Sequence, residues 1–123
     1  VAEGVVDGAG IFQGTGHGFV EWVAKSHEAF DTHSHQVTNV IIHLDGDRAA
    51  SESYVTAALR STVNGQVKEF TTRGRYLDRW SHRDGRWAID SRRYVHDFAD
   101  ERDVNDSPIP TAGRRDRSDP SYD

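Results

Sequence analysis

A chain of 123 residues with a formal net charge of −5 is the size of one domain and lacks the basic excess that a nucleic-acid surface needs. It has no cysteine, which excludes disulfides, thiol nucleophiles and thiolate metal sites, and no apolar run approaches the ~20 residues that span a bilayer. We therefore expect a soluble, cytoplasmic domain that binds neither nucleic acid nor membrane.

Residues 2–18 are rich in glycine and predict turns, with a short extended piece at residues 10–13. Gly14-Thr15-Gly16 is followed by Phe19 where a dinucleotide fingerprint has its third glycine, and no Gly-Lys-Ser/Thr occurs. The segment is therefore predicted to be loop and not a phosphate-binding loop.

Residues 19–30 predict an amphipathic helix that covers a sheet. Its apolar stripe is composed of Phe19, Trp22, Val23, Ser26 and Phe30. Such a stripe is either plain core or the wall of a ligand pocket, so Phe19 and Trp22 of the helix, together with Phe12 before it, are candidate pocket residues.

From Ser34 the apolar period changes to two, which predicts strands. Asp45-Gly46 predicts the turn of a first hairpin that returns through residues 48–60, and Asp84-Gly85 predicts the turn of a second hairpin that returns through residues 86–98. Four consecutive, mostly antiparallel strands behind a helix predict an α+β fold with a bent sheet.

The character of the chain changes after Phe98, because all three prolines and many charged residues follow it. We therefore divide the chain into a domain at residues 1–100 and a C-terminal tail at residues 101–123. A mobile tail is the default interpretation, and a lid or an arm that wraps a neighbour is the alternative.

A two-residue turn at Asp45-Gly46 sets Asn39 opposite Glu52 and Val37 opposite Tyr54. In that register one face of the hairpin carries His35, Asn39, Glu52 and Tyr54. An imidazole, an amide, a carboxylate and a phenol together predict a pocket that orients a substrate. A three-residue loop would reverse this parity.

His35 has three interpretations. It is a metal ligand together with His33, although no further ligand follows at the spacing that such a site needs. It is an ordinary half-exposed histidine at the start of a strand. Or it is a neutral general base in an apolar pocket, oriented by a carboxylate.

The order of these segments resembles the SnoaL-like proteins of the nuclear transport factor two superfamily. The resemblance is carried by "DGAGIFQG", the helix, "HSHQVTNVIIHLDGDRAASESYV", "GRYLDRWSHRDGRWAIDSRR" and "GRRDRSDPSY". It implies a cone-shaped, strongly curved antiparallel or mixed sheet wrapped by helices, with a ligand cavity inside, assembled as a homodimer or homotrimer.

The resemblance also implies site residues. In the family's dehydrochlorinases a histidine followed by two residues and Thr-Asn is the base, a pattern that His35 matches, and Arg92 matches an assisting arginine five residues after a strand Trp. The family's orienting aspartate lies on an N-terminal helix that the 123 residues do not include. Since they also lack Met, we expect the sequence to be truncated, with Glu52 as a substitute for the aspartate if the register above holds.

These features predict a lyase or isomerase, of dehydratase or dehydrohalogenase type, that needs no cofactor and no metal. His35 would remove a proton from a small hydrophobic cyclic substrate, while Arg92 and Tyr54 stabilise the developing charge. The alternatives are a noncatalytic small-molecule binder of the same fold and an oligomerising subunit like the small chain of aromatic-ring dioxygenases.

Overall fold

The computed structural model describes residues 5–7, 12–105 and 109–123, so the predicted extended piece at residues 10–13 lies partly outside the described residues. The elements in chain order are β1 (Val5–Asp7), β2 (Gln13–Thr15), α1 (Gly16–His27), β3 (Thr32–Asp45), β4 (Arg48–Val63), β5 (Gln66–Arg83), β6 (Arg86–Val104) and a 3-10 turn at Pro120–Tyr122. None of the helices in this part of the chain is long and apolar enough to cross a bilayer.

Helix α1 begins at Gly16, three residues before the predicted start. Thr15 is its N-cap, and the side-chain oxygen of Thr15 accepts a hydrogen bond from the backbone N–H of Gly18 at 3.1 Å. The cap satisfies one of the helix's free N–H groups and so favours this early start despite the glycines. The helix ends at His27, with Lys25 and His27 in the last turn, where the helix dipole favours positive charge.

The six strands form one sheet in the order β2-β1-β6-β5-β4-β3. All neighbouring strands are antiparallel except β1 and β6, which are parallel, so the sheet is mixed. This curved mixed sheet with its helix confirms the predicted α+β cone. Strand β6 continues to Val104, beyond residue 100, where the sequence predicted the boundary between domain and tail.

Two of the hairpin turns have the backbone that their sequences demand. Asn64-Gly65 and Asp84-Gly85 have positive φ at both residues, as a type I′ turn requires, and the prediction for Asp84-Gly85 is confirmed. The first hairpin differs. Asp45 pairs with Arg48, so its turn is Gly46-Asp47, with the positive φ at Gly46 that suits the first position of a type II′ turn.

The register predicted for the first hairpin is wrong for two reasons. The turn lies one residue later than predicted, and the pairing shifts again between Thr38 and Ile41. Asn39, inside this bulge, has a φ of 53°, a left-handed backbone that asparagine adopts more readily than most residues. The extra residue reverses the alternation of side chains, so residues before and after the bulge no longer follow one parity.

The buried side of the sheet is the face that carries Val55, Ala57 and Leu59 of β4, which are 5–8% exposed. We call this the inner face. The other face carries residues such as Tyr54, which is 51% exposed. Strand β3, at the edge of the sheet, is exposed at every residue, so the structure protects β4 but leaves β3 open.

Candidate functional site

Three histidines meet where the end of α1 approaches the start of β3. His33 pairs with Leu59 and His35 with Ala57, and directly paired residues of antiparallel strands share a face, so both rings lie on the inner face. The centroid of the His27 ring lies 4.9 Å from that of His33 and 5.5 Å from that of His35, and the His33 and His35 centroids are 5.1 Å apart. We call these three residues the histidine cluster.

The short loop between α1 and β3 explains why these rings meet. Its backbone is held by hydrogen bonds from Phe30 N–H to the His27 carbonyl at 3.2 Å and from Asp31 N–H to the Arg60 carbonyl at 2.8 Å. The side chain of Thr62 also donates to Asp31 at 2.8 Å. These hydrogen bonds hold His27, the last residue of the helix, beside the first residues of β3.

The surroundings favour neutral rings at His33 and His35. Partial shielding of the ring from water, followed by the positive charges that His33 and His27 would carry, lowers the pKa of His35 below its ordinary 6.5. Burial, followed by His27 and Arg115, lowers the pKa of His33 in the same way. A neutral imidazole has a free lone pair, so either ring can accept a proton or bind a metal ion near pH 7.

His35 itself is exposed, in contrast to the apolar pocket that the sequence predicted for it. Within the described residues its ring contacts are with His27 and His33 and not with a carboxylate. The ring is therefore positioned by other imidazoles at an open strand edge.

The residues predicted to share a pocket with His35 lie elsewhere. Glu52 is opposite Ile41 and Tyr54 is opposite Thr38, on the outer face, because the bulge at Asn39 reversed the parity. The carboxylate of Glu52 accepts from Arg75 at 2.9 Å. Glu52 therefore does not replace the orienting aspartate, and the predicted four-residue polar face is not formed.

Arg92 belongs to a second cluster on the inner face. Its Nε and Nη2 each donate to the carboxylate of Asp78 at 2.9 Å, and its guanidinium lies 3.9 Å from the centre of the Tyr76 ring. Burial opposes the charge of Arg92, but the hydrogen bonds and charge of Asp78 outweigh it and raise the pKa of Arg92. Burial also raises the pKa of Tyr76.

The two clusters share a face but not a position along it. Arg92 pairs with Asp78, which pairs with Ser51, whereas His35 pairs with Ala57. Ser51 and Ala57 are six residues apart in β4, which corresponds to about 20 Å of strand. The sequence assigned His35 and Arg92 to one site, and the structure separates them along the sheet.

The aromatic residues predicted to line a pocket do come together. The ring centroids of Phe12 and Phe19, and of Phe12 and Trp22, are 5.6 Å apart, and those of Phe19 and Trp22 are 6.0 Å apart. All three side chains are half-buried, at the N-terminal half of α1. The contact explains their packing, and their role toward a ligand stays a prediction.

Two clefts in the described part of the chain lie away from both clusters. One, of about 420 Å³, is between Arg60, Val67, Val104 and residues 109–111. The other, of about 460 Å³, is at the end of the sheet beside His43, Arg48, Trp80 and Asp90. Neither has His35 or Arg92 in its wall, so neither is the predicted substrate pocket.

Sequence reasoning missed His27, Asp78 and Tyr76. The short loop between helix and strand was the signal for His27, because it forces the last helical residue close to the strand. Asp78 was harder to find, since a second irregularity, between Arg79 and Trp80, shifts its pairing. Counting back from the Asp84-Gly85 turn without that shift would set Arg92 opposite Leu77.

A curved mixed sheet with one helix and polar clusters on its inner face defines the class of α+β cone proteins. The chain belongs to the SnoaL-like family, since the family model of the SnoaL-like domain matches residues 1–93. The predicted family and fold are therefore confirmed. No curated protein has a significantly similar sequence.

Solved structures share the fold at low sequence identity. The Kfla4162 protein from Kribbella flavida has a TM-score of 0.70 at 16% identity, over 81% of this chain and 73% of that one. A candidate scytalone dehydratase from Novosphingobium aromaticivorans has a TM-score of 0.68 at 23% identity, over 94% and 76%. The LinA-type3 hexachlorocyclohexane dehydrochlorinase from Novosphingobium barchaimii has a TM-score of 0.72 at 14% identity, over 90% and 76%. Identities this low show the fold alone.

Proposed function

We propose that the chain is a cofactor-independent lyase or isomerase in which His35 removes a proton from a small hydrophobic cyclic molecule. The observation that carries the proposal is the position of His35 on the inner face beside two further imidazoles, an environment that also lowers its pKa. A neutral ring is the form that a general base needs. Membership in the SnoaL-like family and structural neighbours named as a dehydratase and a dehydrochlorinase support the reaction class.

The other predicted site residues are assigned roles according to the face of the sheet on which they lie. Arg92 is permanently charged, and its Nε and Nη2 donate to Asp78. The remaining nitrogen of the guanidinium, Nη1, does not contact Asp78 and could donate to a developing anion. About 20 Å of strand separates Arg92 from His35, which is more than a small cyclic molecule spans, so the proposal assigns proton removal to His35 and does not require Arg92. Phe12, Phe19 and Trp22 provide apolar contact, whereas Tyr54, Glu52 and Asn39 take no part.

We further propose that the protein forms a homodimer or homotrimer. Along β3, Val37, Val40, Ile41, Ile42 and Leu44 are 53–68% exposed, an apolar surface that a second copy would cover. Covering this edge would also exclude water from His35, which is exposed in the single chain. Self-association would therefore cover the apolar edge of the sheet and also give His35 the drier surroundings that the proposed reaction needs.

The test uses scytalone and hexachlorocyclohexane as probe substrates, with loss of water or release of chloride as the signal. We expect His35→Ala to lower turnover at least about 100-fold, the usual contribution of a general base. His43→Ala is the matched control, because His43 is an exposed residue of the same strand that pairs with Ala50, on the outer face. An unchanged rate in His35→Ala would remove His35 from the mechanism.

A noncatalytic binder of the same fold is the second candidate. It is favoured by one observation: the ring contacts of His35 within the described residues include no carboxylate that would orient it. A protein that binds a probe equally well with and without His35, and converts neither compound, would establish this candidate in place of the first.

A further inference from the structure

The histidine cluster has the composition of a metal site. His27, His33 and His35 each offer one ring nitrogen, and the three nitrogens all lie within 4.8 Å of one another. The sequence supplied only His33 and His35 as a pair on one strand, and the missing ligand argued against a metal. Helix α1 provides the third imidazole.

The spacing within the pair suits tetrahedral coordination. The Nδ1 atoms of His33 and His35 are 3.2 Å apart. Two nitrogens bound to zinc at its usual distance, at a tetrahedral angle, are about 3.3 Å apart. The strand therefore already holds two ligands at the separation that a zinc ion requires, and helix α1 brings a ring nitrogen of His27 into the same group.

The third ligand is oriented by a backbone carbonyl. Nδ1 of His27 lies 2.9 Å from the carbonyl oxygen of Val23, one turn earlier in the helix. A carbonyl only accepts, so Nδ1 carries the proton and Nε2 has the free lone pair. Histidines that bind metals nearly always donate their other N–H in this way, which fixes the tautomer and the ring angle.

The electrostatic environment sets the strength of the site. A metal ion binds the neutral form of an imidazole, in which one ring nitrogen has a free lone pair. Arg115 acts against binding, because its Nη2 donates to the His27 carbonyl at 3.4 Å and brings a positive charge to the cluster. The site is therefore expected to bind more tightly when that charge is removed.

We propose that His27, His33 and His35 form a three-imidazole binding site for a divalent transition-metal ion, zinc above all, with a fourth position open to solvent at the exposed β3 edge. Imidazole ligands suit zinc and its neighbours, and three protein ligands with one open position are the pattern of reactive zinc sites. Bound metal occupies the lone pair of His35. This consequence rests on the proposed function: the metal-bound protein cannot use His35 as a base.

The site is tested with Co²⁺ alone, followed by its visible absorption spectrum in a chain without a histidine tag, and with Zn²⁺ as competitor. We expect one ion per chain and a tetrahedral-type spectrum. Each of His27→Gln, His33→Gln and His35→Gln should weaken binding about tenfold or more. His43→Gln, outside the cluster, should bind as the unchanged chain does, and Arg115→Gln should bind more tightly.

Thermal unfolding separates loss of the site from loss of the fold. Zn²⁺ should raise the Tm of the unchanged chain and of His43→Gln by more than that of His27→Gln, because a ligand stabilises the folded state more when it binds more tightly. If a variant does not fold, protection of the cluster from diethyl pyrocarbonate by Zn²⁺ in the unchanged chain gives the same information. No saturable binding of Co²⁺, or equal binding by His27→Gln, would overturn the proposal.

These measurements use no substrate, so they stand apart from the proposed reaction. Turnover of the probe substrates, compared in chelator and in Zn²⁺, then tests the link between the two. A chain that binds metal but converts neither compound would retain the site and refute the proposed function.

Discussion

Asp78 and Arg92 form a well-buried charged contact on the inner face. The side chain of Asp78 is 3% exposed and that of Arg92 is 22% exposed, and two hydrogen bonds join them. Such a pair is costly to break, because removal of one partner leaves the other charge buried and uncompensated. The contribution of this pair to the free energy of unfolding therefore requires both side chains.

We expect Asp78→Ala to lower the free energy of unfolding by about 3–5 kcal/mol, measured by urea denaturation. The matched control is Asp103→Ala. Asp103 pairs with Lys68 at 2.8 Å, but its side chain is 63% exposed, so its loss should cost about 0–1 kcal/mol. An equal loss of unfolding free energy in the two variants would show that the buried charge of Arg92 does not need the carboxylate of Asp78.

The histidine cluster predicts a pH dependence of stability. His33 and His35 have a lowered pKa in the folded chain, so the folded state binds fewer protons than the unfolded state. Their contribution is therefore complete above about pH 6.5 and is lost as the pH falls through their folded pKa values. Partial shielding of the rings from water is the largest cause of both shifts, and repulsion between neighbouring rings adds to it.

The Tm measured between about pH 7.5 and pH 5.5 should consequently fall less in the double variant His33→Gln/His35→Gln than in the unchanged chain. His43→Gln is the control and should show the full dependence. An equal fall in all three proteins would mean that the cluster does not contribute to the acid instability.

At the scale of the elements, the bulge in β3 determines which residues face the site. The sequence predicted the strands, the second turn and the α+β class, because these depend on local periodicity and turn chemistry. It could not predict that Asn39 adopts a left-handed backbone, and one extra residue moves Glu52 and Tyr54 to the outer face. The parallel pairing of β1 with β6 is equally absent from the local pattern, because it joins residues far apart in the chain.

The bulge predicts the effect of substitutions at Asn39. A β-branched residue is strained at a φ of 53°, so Asn39→Val should lower the free energy of unfolding by about 1–2 kcal/mol. Asn39→Gly, which tolerates this backbone, should cost less than Asn39→Val. Urea denaturation of the two variants measures the difference, and equal stabilities would contradict the bulge.

At the scale of the whole molecule, β3 is a long apolar edge strand exposed along its length. Such an edge pairs readily with other chains unless it is covered or charged. Composition indicated a single domain but could not locate this surface, since a content of 35% hydrophobic residues is compatible with both a monomer and an oligomer. The exposed edge is what makes a homo-oligomer the expected form.

Light scattering coupled to size exclusion should therefore find a dimer or trimer. Ile42→Lys, at a residue that is 64% exposed, should shift the population toward monomer because it adds a charge to the proposed interface. Val20→Lys is the control, at a helix residue that is 57% exposed and lies away from β3. A monomeric unchanged chain would contradict the proposal.

The central claim is that His35 takes a proton from carbon, and loss of deuterium from a probe substrate that carries it beside the leaving group measures this step directly. Followed by NMR, the unchanged chain and His43→Ala should remove this deuterium as the product forms, and His35→Ala should do so at least about 100-fold more slowly. Loss of deuterium at the same rate in His35→Ala would contradict this role of His35.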